Sequence, residues 1–277
     1  MFGREKIEYK TPDQVRTMRR AGLVVADIHA ALREAVAPGM TTADLDAVSA
    51  DVIARAGARS NFLGYHGYPA TVCISVNEVI VHGIPGDRVI AEGDLVSFDC
   101  GAIVDGWHGD AAFSLVVGTP SAADRALVEV TEEAMWAGIA ALATGERLGV
   151  VGDAVETVVE RATAERGVTL GIVQEYVGHG IGSAMHQPPE VLNYRTREKG
   201  PRLRPGMCLA VEPMLTAGSP ESEVLEDDWT VVTLDGSRAA HFEHTVAIGE
   251  RGIWVLTAPD GGAEQLAARG VTVAPLD

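Results

Sequence analysis

Two stretches of this chain repeat one order of reactive side chains. The first runs His82-Gly83-Ile84-Pro85-Gly86, then an apolar run Leu95-Val96-Ser97-Phe98 closing on Asp99, then Asp110 leading into Phe113–Val117. The second runs His179-Gly180-Ile181-Gly182, then Cys208-Leu209-Ala210-Val211 closing on Glu212, then Glu243 leading into Thr245–Ile248. A charge that ends an apolar run is costly unless something binds it. Hard oxygen ligands with an imidazole, brought together from two half-sites, are the donor set of a two-metal hydrolytic centre. Five ligands, His179 with Asp99, Asp110, Glu212 and Glu243, suffice for two ions if two acids bridge. The internal symmetry makes Asp110 and Glu243 the bridges and gives Asp99 and Glu212 to one ion each.

The remaining histidines have several candidate roles. His186 lies just beyond the glycine-rich turn of His179, where a polarising role on substrate fits. His82 is the pseudo-mate of His179 and is open to three roles: third nitrogen ligand, substrate contact or turn residue, with substrate contact favoured. His108 and His241 each precede an acid by two residues, so on a regular strand each shares its face and can support the ligands from behind.

The elements that must position these groups repeat as well. Residues 13–57 read as two amphipathic helices joined by Ala37-Pro38-Gly39-Met40-Thr41-Thr42, with Thr41 or Thr42 as cap of the second. Residues 122–167 read the same way, opened by Ser121-Ala122-Ala123-Asp124 and broken at Thr144-Gly145-Glu146. Gly57 and Gly167 stand at the expected helix ends. Strands are predicted at 71–76, 77–81 and 172–177, and Asp105-Gly106 is a hairpin turn that would set Asp99 and Asp110 on neighbouring strands. The expected fold is α+β, two α-α-β-β-β halves related by a pseudo-twofold around a curved, mainly antiparallel sheet. The expectation is one catalytic domain over 1–277, with halves at about 10–120 and 121–257 and a short tail, 258–277.

Composition narrows the class. With 47% hydrophobic and 5% aromatic residues among 277, the chain can build a sizeable core. No apolar stretch is long enough to span a membrane, and the start, MFGREKIEYK, has no signal-peptide core. Three cysteines, at 73, 100 and 208, form no CxxC and argue for a reducing, cytoplasmic setting. A net charge of −17 disfavours DNA as a partner. The exception is the run Arg195, Arg197, Lys199, Arg202 and Arg204, read as a solvated loop with transient docking on an acidic partner such as ribosomal RNA as the rival.

The phrases GYHGYPATVCISVNEVIVHGIPG, DGWHGDAA, GHGIGSAMHQPPEV, LRPGMCLAVEPML and HFEHTV closely resemble the type I methionine aminopeptidases, pita-bread metallopeptidases of family M24. The resemblance spans roughly residues 10–257. It implies removal of initiator methionine from nascent polypeptide N-termini whose second residue is small, by a monomer holding two divalent ions (Co, Mn, Fe or Zn), with a structural monovalent cation compatible with it. Position by position it carries Asp99, Asp110, His179, Glu212 and Glu243 as ligands, His82 as a contact to substrate backbone and His186 as stabiliser of the tetrahedral intermediate. It also carries Tyr65, Tyr68, Cys73 and Trp229 as the methionine pocket, whose aromatic, sulfur-bearing walls suit a thioether. Phe62 stands where Cys is common and Met185 where an aromatic is common, so both are expected to reshape the pocket.

The chemistry implied is metal-assisted amide hydrolysis, with Glu212 passing the proton and His186 donating to the developing oxyanion. If specificity follows the family, the bulky Phe2 should leave Met1 in place. Two rivals are an Xaa-Pro aminopeptidase or dipeptidase on the same fold, and a metal-free pita-bread binding protein. The short stretch ahead of the first strands argues against the former, and the five intact ligand positions argue against the latter.

Overall fold

The computed structural model describes residues 6–275, so Met1 and Phe2 lie outside the described residues. The chain opens with α1 (Pro12–Ala35) and α2 (Thr42–Arg55), followed by β1 (Arg59–Ser60), β2 (Val72–Val76), β3 (Val79–Val81), β4 (Leu95–Val104) and β5 (Trp107–Val116). A second helix pair follows, α3 (Ala122–Leu142) and α4 (Val150–Arg166). Then come β6 (Gly171–Ile172), β7 (Gly178–Gly180), β8 (Gln187–Val191), β9 (Cys208–Val211) and β10 (Met214–Thr216). The chain closes with β11 (Ser222–Val224), β12 (Val231–Thr233), β13 (Ala239–His241), β14 (Glu243–Gly249), β15 (Gly252–Val255) and α5 (Ala263–Ala267).

Helix starts are written in capping residues. Thr11 accepts from the Gln14 amide and Gln14 returns a bond to the Thr11 backbone, a closed capping box ahead of Pro12. Thr41, not Thr42, caps α2 in the same way with Asp44, and Ser121 caps α3. Helix α4 ends on Gly167 in a left-handed conformation, whereas α2 is capped by Ala56 with the left-handed Gly57 just beyond. The apolar stripe of α1, from Val15 through Met18, Val25 and Ile28 to Leu32, lies on β4 and β5. Together with α3 and α4 it seals one face of the sheet.

Among the described residues nine strands form one antiparallel sheet, ordered β1-β4-β5-β14-β9-β7-β8, with β2 also on β4 and β15 on β14. The hairpin β4–β5 pairs over ten residue pairs around Asp105-Gly106, both at positive φ (50° and 82°) as a two-residue turn requires. The two halves meet where β5 touches β14, over only two pairs, Glu243 with Ala112 and His244 with Ala111. Two side sheets, β13-β10-β6 and β11-β12-β3, flank this frame.

Three strand expectations need correcting. Asp99 and Asp110 do not end and begin their strands; β4 and β5 run five and three residues past and before them. The reason is that the small or apolar residues around the acids keep the ladder going while each acid turns to the cavity on the other face. The predicted strand at 172–177 is reduced to Gly171–Ile172, the chain leaving β10 so that Tyr176 turns beside His82. In place of a strand over 77–81, Asn77 takes a left-handed turn (φ 57°) and only Val79–Val81 is extended.

Candidate metal centre

Alternation along the strands decides which face each acid takes. Phe98, Cys100, Ala111 and Phe113 join the core beneath α1, with His29 of α1 edge-on to Phe113 at 4.6 Å between centroids. Asp99 and Asp110 therefore turn to the opposite face. In register, Asp99 faces Ala112, and Ala112 also faces Glu243 on β14. Pairing of His244 with Val211 carries the frame to Glu212, the residue after β9, and pairing of Gly180 with Leu209 carries it to β7 and His179. Five successive strands, β4, β5, β14, β9 and β7, thus each deliver one candidate ligand to one face.

The side chains converge. His179 Nε2 lies 3.3 Å from Glu212 Oε1. Asp110, His179 and Glu243 each present an atom within 4.8 Å of the others, and so do Glu212, His241 and Glu243. His179 Nδ1 is 3.0 Å from the Gly180 carbonyl, which holds the proton there and leaves Nε2 with its lone pair toward the acids. Gly180 allows this close turn, because a Cβ there would stand 2.3 Å from the Pro188 carbonyl oxygen.

Four carboxyls so close, and so dry, cannot all hold charge unaided. Burial, with the neighbouring Glu212 adding to it against His241, pushes Asp99 up to about 7. Burial pushes Glu212 up to about 8. Burial and then the other acids raise Asp110 and Glu243 well above the ordinary carboxylate range. Burial lowers His179 to about 3, so its imidazole is neutral and able to ligate. Asp99 Oδ1, Asp110 Oδ1 and Glu243 Oε1 are sealed from solvent without a hydrogen-bond partner. Such orphans are rare in folded proteins unless an ion or water takes them. Four acids, one imidazole and three sealed, unpartnered oxygens fit hard divalent cations.

Thirteen of the residues singled out from the sequence line a single cavity, the five cage residues with His82, His186, Phe62, Tyr65, Tyr68, Cys73, Met185 and Trp229, while His108 and His241 do not. Its wall is apolar. Phe62, Tyr68, Cys73 and Met185 are buried in one cluster against Tyr65 and Trp229. Tyr68 is pinned by its hydroxyl, 3.0 Å from the Gly83 carbonyl, and packs edge-on to Trp229 at 5.0 Å. Pairing of Cys73 with Asp99 sets the thiol beside the cage, and burial raises that thiol far above its usual range.

His82 reaches the cavity from a strained backbone, φ +60°, just after β3. The next residue is glycine because a Cβ there would sit 2.3 Å from the Ile74 carbonyl oxygen. Burial holds His82 at about 4, neutral, edge-on to Tyr176 and Trp229. His186 Nδ1 lies 2.8 Å from the Tyr65 hydroxyl, leaving Nε2 for the cavity, and burial lowers its pKa.

Sequence reasoning missed the supports behind these groups. Asn61 binds the Gly109 carbonyl and His108 Nδ1, both at 3.0 Å, and favours the ionised form of Asp110. His108 therefore acts on the acids only through Asn61. Asn193, fully buried, donates to the Glu212 carbonyl at 3.1 Å. Glu8 accepts from the Ser183 hydroxyl at 2.6 Å, and Lys10 Nζ lies 3.3 Å from Gln187 Oε1, tying the loop that carries His186 to the N-terminal segment. Asn61, Asn193, Glu8 and Lys10 lie outside every motif, and contacts so distant in sequence leave no local signal. The basic run resolves into ion pairs with α4 and the turn before it: Arg195 with Glu156 and Glu160, Lys199 with Asp153, Arg202 with Glu146.

Comparisons with known proteins agree with this geometry. Residues 16–250 match metallopeptidase family M24. The chain is 50% identical over 256 residues to methionine aminopeptidase 1 of Mycobacterium tuberculosis, covering 92% of this chain and 96% of that one. It is 46% identical over 248 residues to methionine aminopeptidase 1 of Bacillus subtilis, covering 90% and 98%. Among solved structures, methionine aminopeptidase from Thermotoga maritima superposes with a TM-score of 0.86 at 40% identity, over 91% of this chain and 99% of that one. The prolidase from Pyrococcus furiosus shares the fold alone, with a TM-score of 0.71 at 20% identity over 90% and 65%. An α+β pita-bread fold with a carboxylate–imidazole cage, and relatives matched over nearly their full length, place the chain in metallopeptidase family M24, among the type I methionine aminopeptidases.

Proposed function

We propose that this protein removes the initiator methionine from nascent polypeptide N-termini whose second residue is small, as one catalytic domain over 1–277 with halves at about 10–120 and 121–257 and a tail at 258–277. One observation carries the proposal: an apolar, thiol-bearing pocket opens directly onto the carboxylate cage. The pocket suits a thioether side chain, and cage residues at its inner end suit the free amine and first carbonyl of a chain terminus.

Asp110, His179, Glu212 and Glu243 would hold one ion, and Asp99, Asp110 and Glu243 the other. Bound divalent ions supply Lewis acidity and make water acidic enough to act near neutral pH. Glu212, buried at the edge of the cage with one oxygen 3.3 Å from His179, takes a proton and passes it to the leaving amine. His186, neutral and held on Nδ1 by Tyr65, offers Nε2–H to the oxyanion. His82, also neutral, meets the substrate backbone. Phe62 fills the wall beside Tyr68, and Met185 lends a flexible thioether beside His186, so these two set pocket shape rather than chemistry.

Supply of Mn(II), Fe(II), Co(II) or Zn(II) selects the ions more than affinity does, and a structural monovalent cation belongs to the proposal. The protein is taken as a cytoplasmic monomer; no described helix is long and apolar enough to cross a membrane. Transient ribosome contact is included, but the basic run is a weak site for it, since Arg195, Lys199 and Arg202 are spent on acids of their own chain. The test is turnover of Met-Ala-Ser against Met-Phe-Ser and Ala-Pro peptides after chelation and readdition of single metals. Metal-dependent release of methionine from Met-Ala-Ser is expected. Faster cleavage of the Ala-Pro peptide would move the assignment to an Xaa-Pro enzyme, and no metal-dependent cleavage would leave a peptide-binding module.

A further inference from the structure

Beneath the floor of the cavity lies an imidazole that does not line it. His241 is 2% exposed and absent from the cavity wall, so substrate cannot touch it. Its backbone is fixed on both sides by Ser114, whose hydroxyl accepts from the His241 amide at 2.9 Å and donates to its carbonyl at 2.9 Å. Ser114 is itself paired with Ser97 at 2.7 Å. On β10 the residue opposite His241 is Met214, two beyond Glu212. The backbone that carries the ring is thereby fixed beside the cage, and the ring itself is buried there.

Its Nε2 is sealed from solvent and has no hydrogen-bond partner. The nearest acceptor is Glu212 Oε2 at 3.6 Å, with a Glu243 oxygen inside the same 4.8 Å group. Glu212 therefore meets His179 at one oxygen, 3.3 Å away, and His241 at the other. The gap to His241 is a fraction of an ångström beyond hydrogen-bond range, which a small turn of the carboxylate closes. An imidazole in its neutral form has a single N–H to place.

We propose that His241 is a positioning residue of the metal centre, donating Nε2–H to Glu212 Oε2 and fixing the carboxylate plane from the side opposite His179. Glu212 then keeps Oε1 for the cage, and the group that must hold and release a proton cannot swing out of line. This rests on the assignment of Glu212 to the ion cage.

The test uses the full-length protein, stripped of metal and titrated with Co(II) alone, alongside kcat and KM for Met-Ala-Ser. His241→Leu removes the donor at similar bulk; His241→Gln keeps an N–H. His241→Leu should lower ion affinity and kcat by about 10- to 100-fold, the usual cost of losing a partner behind a ligand, while KM stays nearly constant. His241→Gln should recover most of both. Unchanged affinity and kcat in His241→Leu would overturn the proposal, as would equal losses in both variants. Should His241→Leu fail to fold, ¹⁵N-histidine NMR of the Zn(II)-loaded wild type decides: a proton on His241 Nε2 supports the proposal, and a metal-bound Nε2 overturns it. Wild-type protein that takes up no divalent ion would instead remove the cage assignment itself, an outcome distinct from either.

Discussion

The two halves of the molecule supply their acids in different ways. In the N-terminal half, Asp99 and Asp110 share one hairpin, closed by a two-residue turn and zipped over ten pairs. In the C-terminal half, Glu212 follows β9 directly and Glu243 opens β14, strands adjacent in the sheet but separated in sequence by β10 to β13. That excursion is where Trp229 reaches the pocket and where His241 reaches the cage. The part of the repeat kept in both halves supplies the candidate ligands; the excursion adds Trp229 to a pocket whose other walls include Phe62, Tyr65, Tyr68 and Cys73 of the first half. Duplication can make a cage, but only departure from duplication makes a pocket on one side of it.

The largest test of this division is on the shared frame. Asp110→Asn or Glu243→Gln removes a proposed bridge and should cost at least about 10³ in kcat, since bound ions contribute several kcal/mol at tenfold per 1.4 kcal/mol. Calorimetric titration should show the second ion lost in either variant, and equal ion binding with full activity would break the symmetry argument. Next is the substituted histidine loop: His186→Ala should lower kcat by about 10² to 10³, seen in single-turnover rates, with ion stoichiometry unchanged. A smaller effect is expected in the excursion. Trp229→Ala should raise KM for Met-Ala-Ser, with loss of methionine preference over leucine, while leaving ion affinity as it was.

The smallest effect is on stability. In ion-free protein, Asp99 and Glu212 hold protons up to about pH 7 and 8, whereas the unfolded chain releases them near 4 to 4.5. The folded state thus binds more protons across that window, so its stability is complete below about pH 4 for these groups and falls as pH rises toward 8. Thermal melts in chelator should decline over that range, and added Mn(II) or Co(II) should flatten the decline. Melts independent of ions at pH 8 would show that the acids are not opposed across the joint.

Much of this was legible in the chain. The start of α2 followed from Thr41 or Thr42 and that of α3 from Ser121, local signals with local causes. The cage followed from two copies of one residue order, and the pocket from resemblance. What escaped were residues whose roles depend on partners distant in sequence: Asn61 beneath Asp110, Asn193 beneath Glu212, and Ser114 gripping His241. The extent of β4 and β5 also escaped, because an acid within a strand reads as an ending unless the ladder beyond it is seen. The basic run looked unattached for the same reason, its acids lying on or just before a helix well upstream.

The joint between β5 and β14, two residue pairs wide, bears on assembly as well as on chemistry. A slip of one residue at that joint would turn the acids of one half to the helix-covered face while the other half's stayed put. A misdocked chain would then have no place to hold an ion. Correct pairing at this narrow joint is therefore the condition for gathering all five candidate ligands on one face.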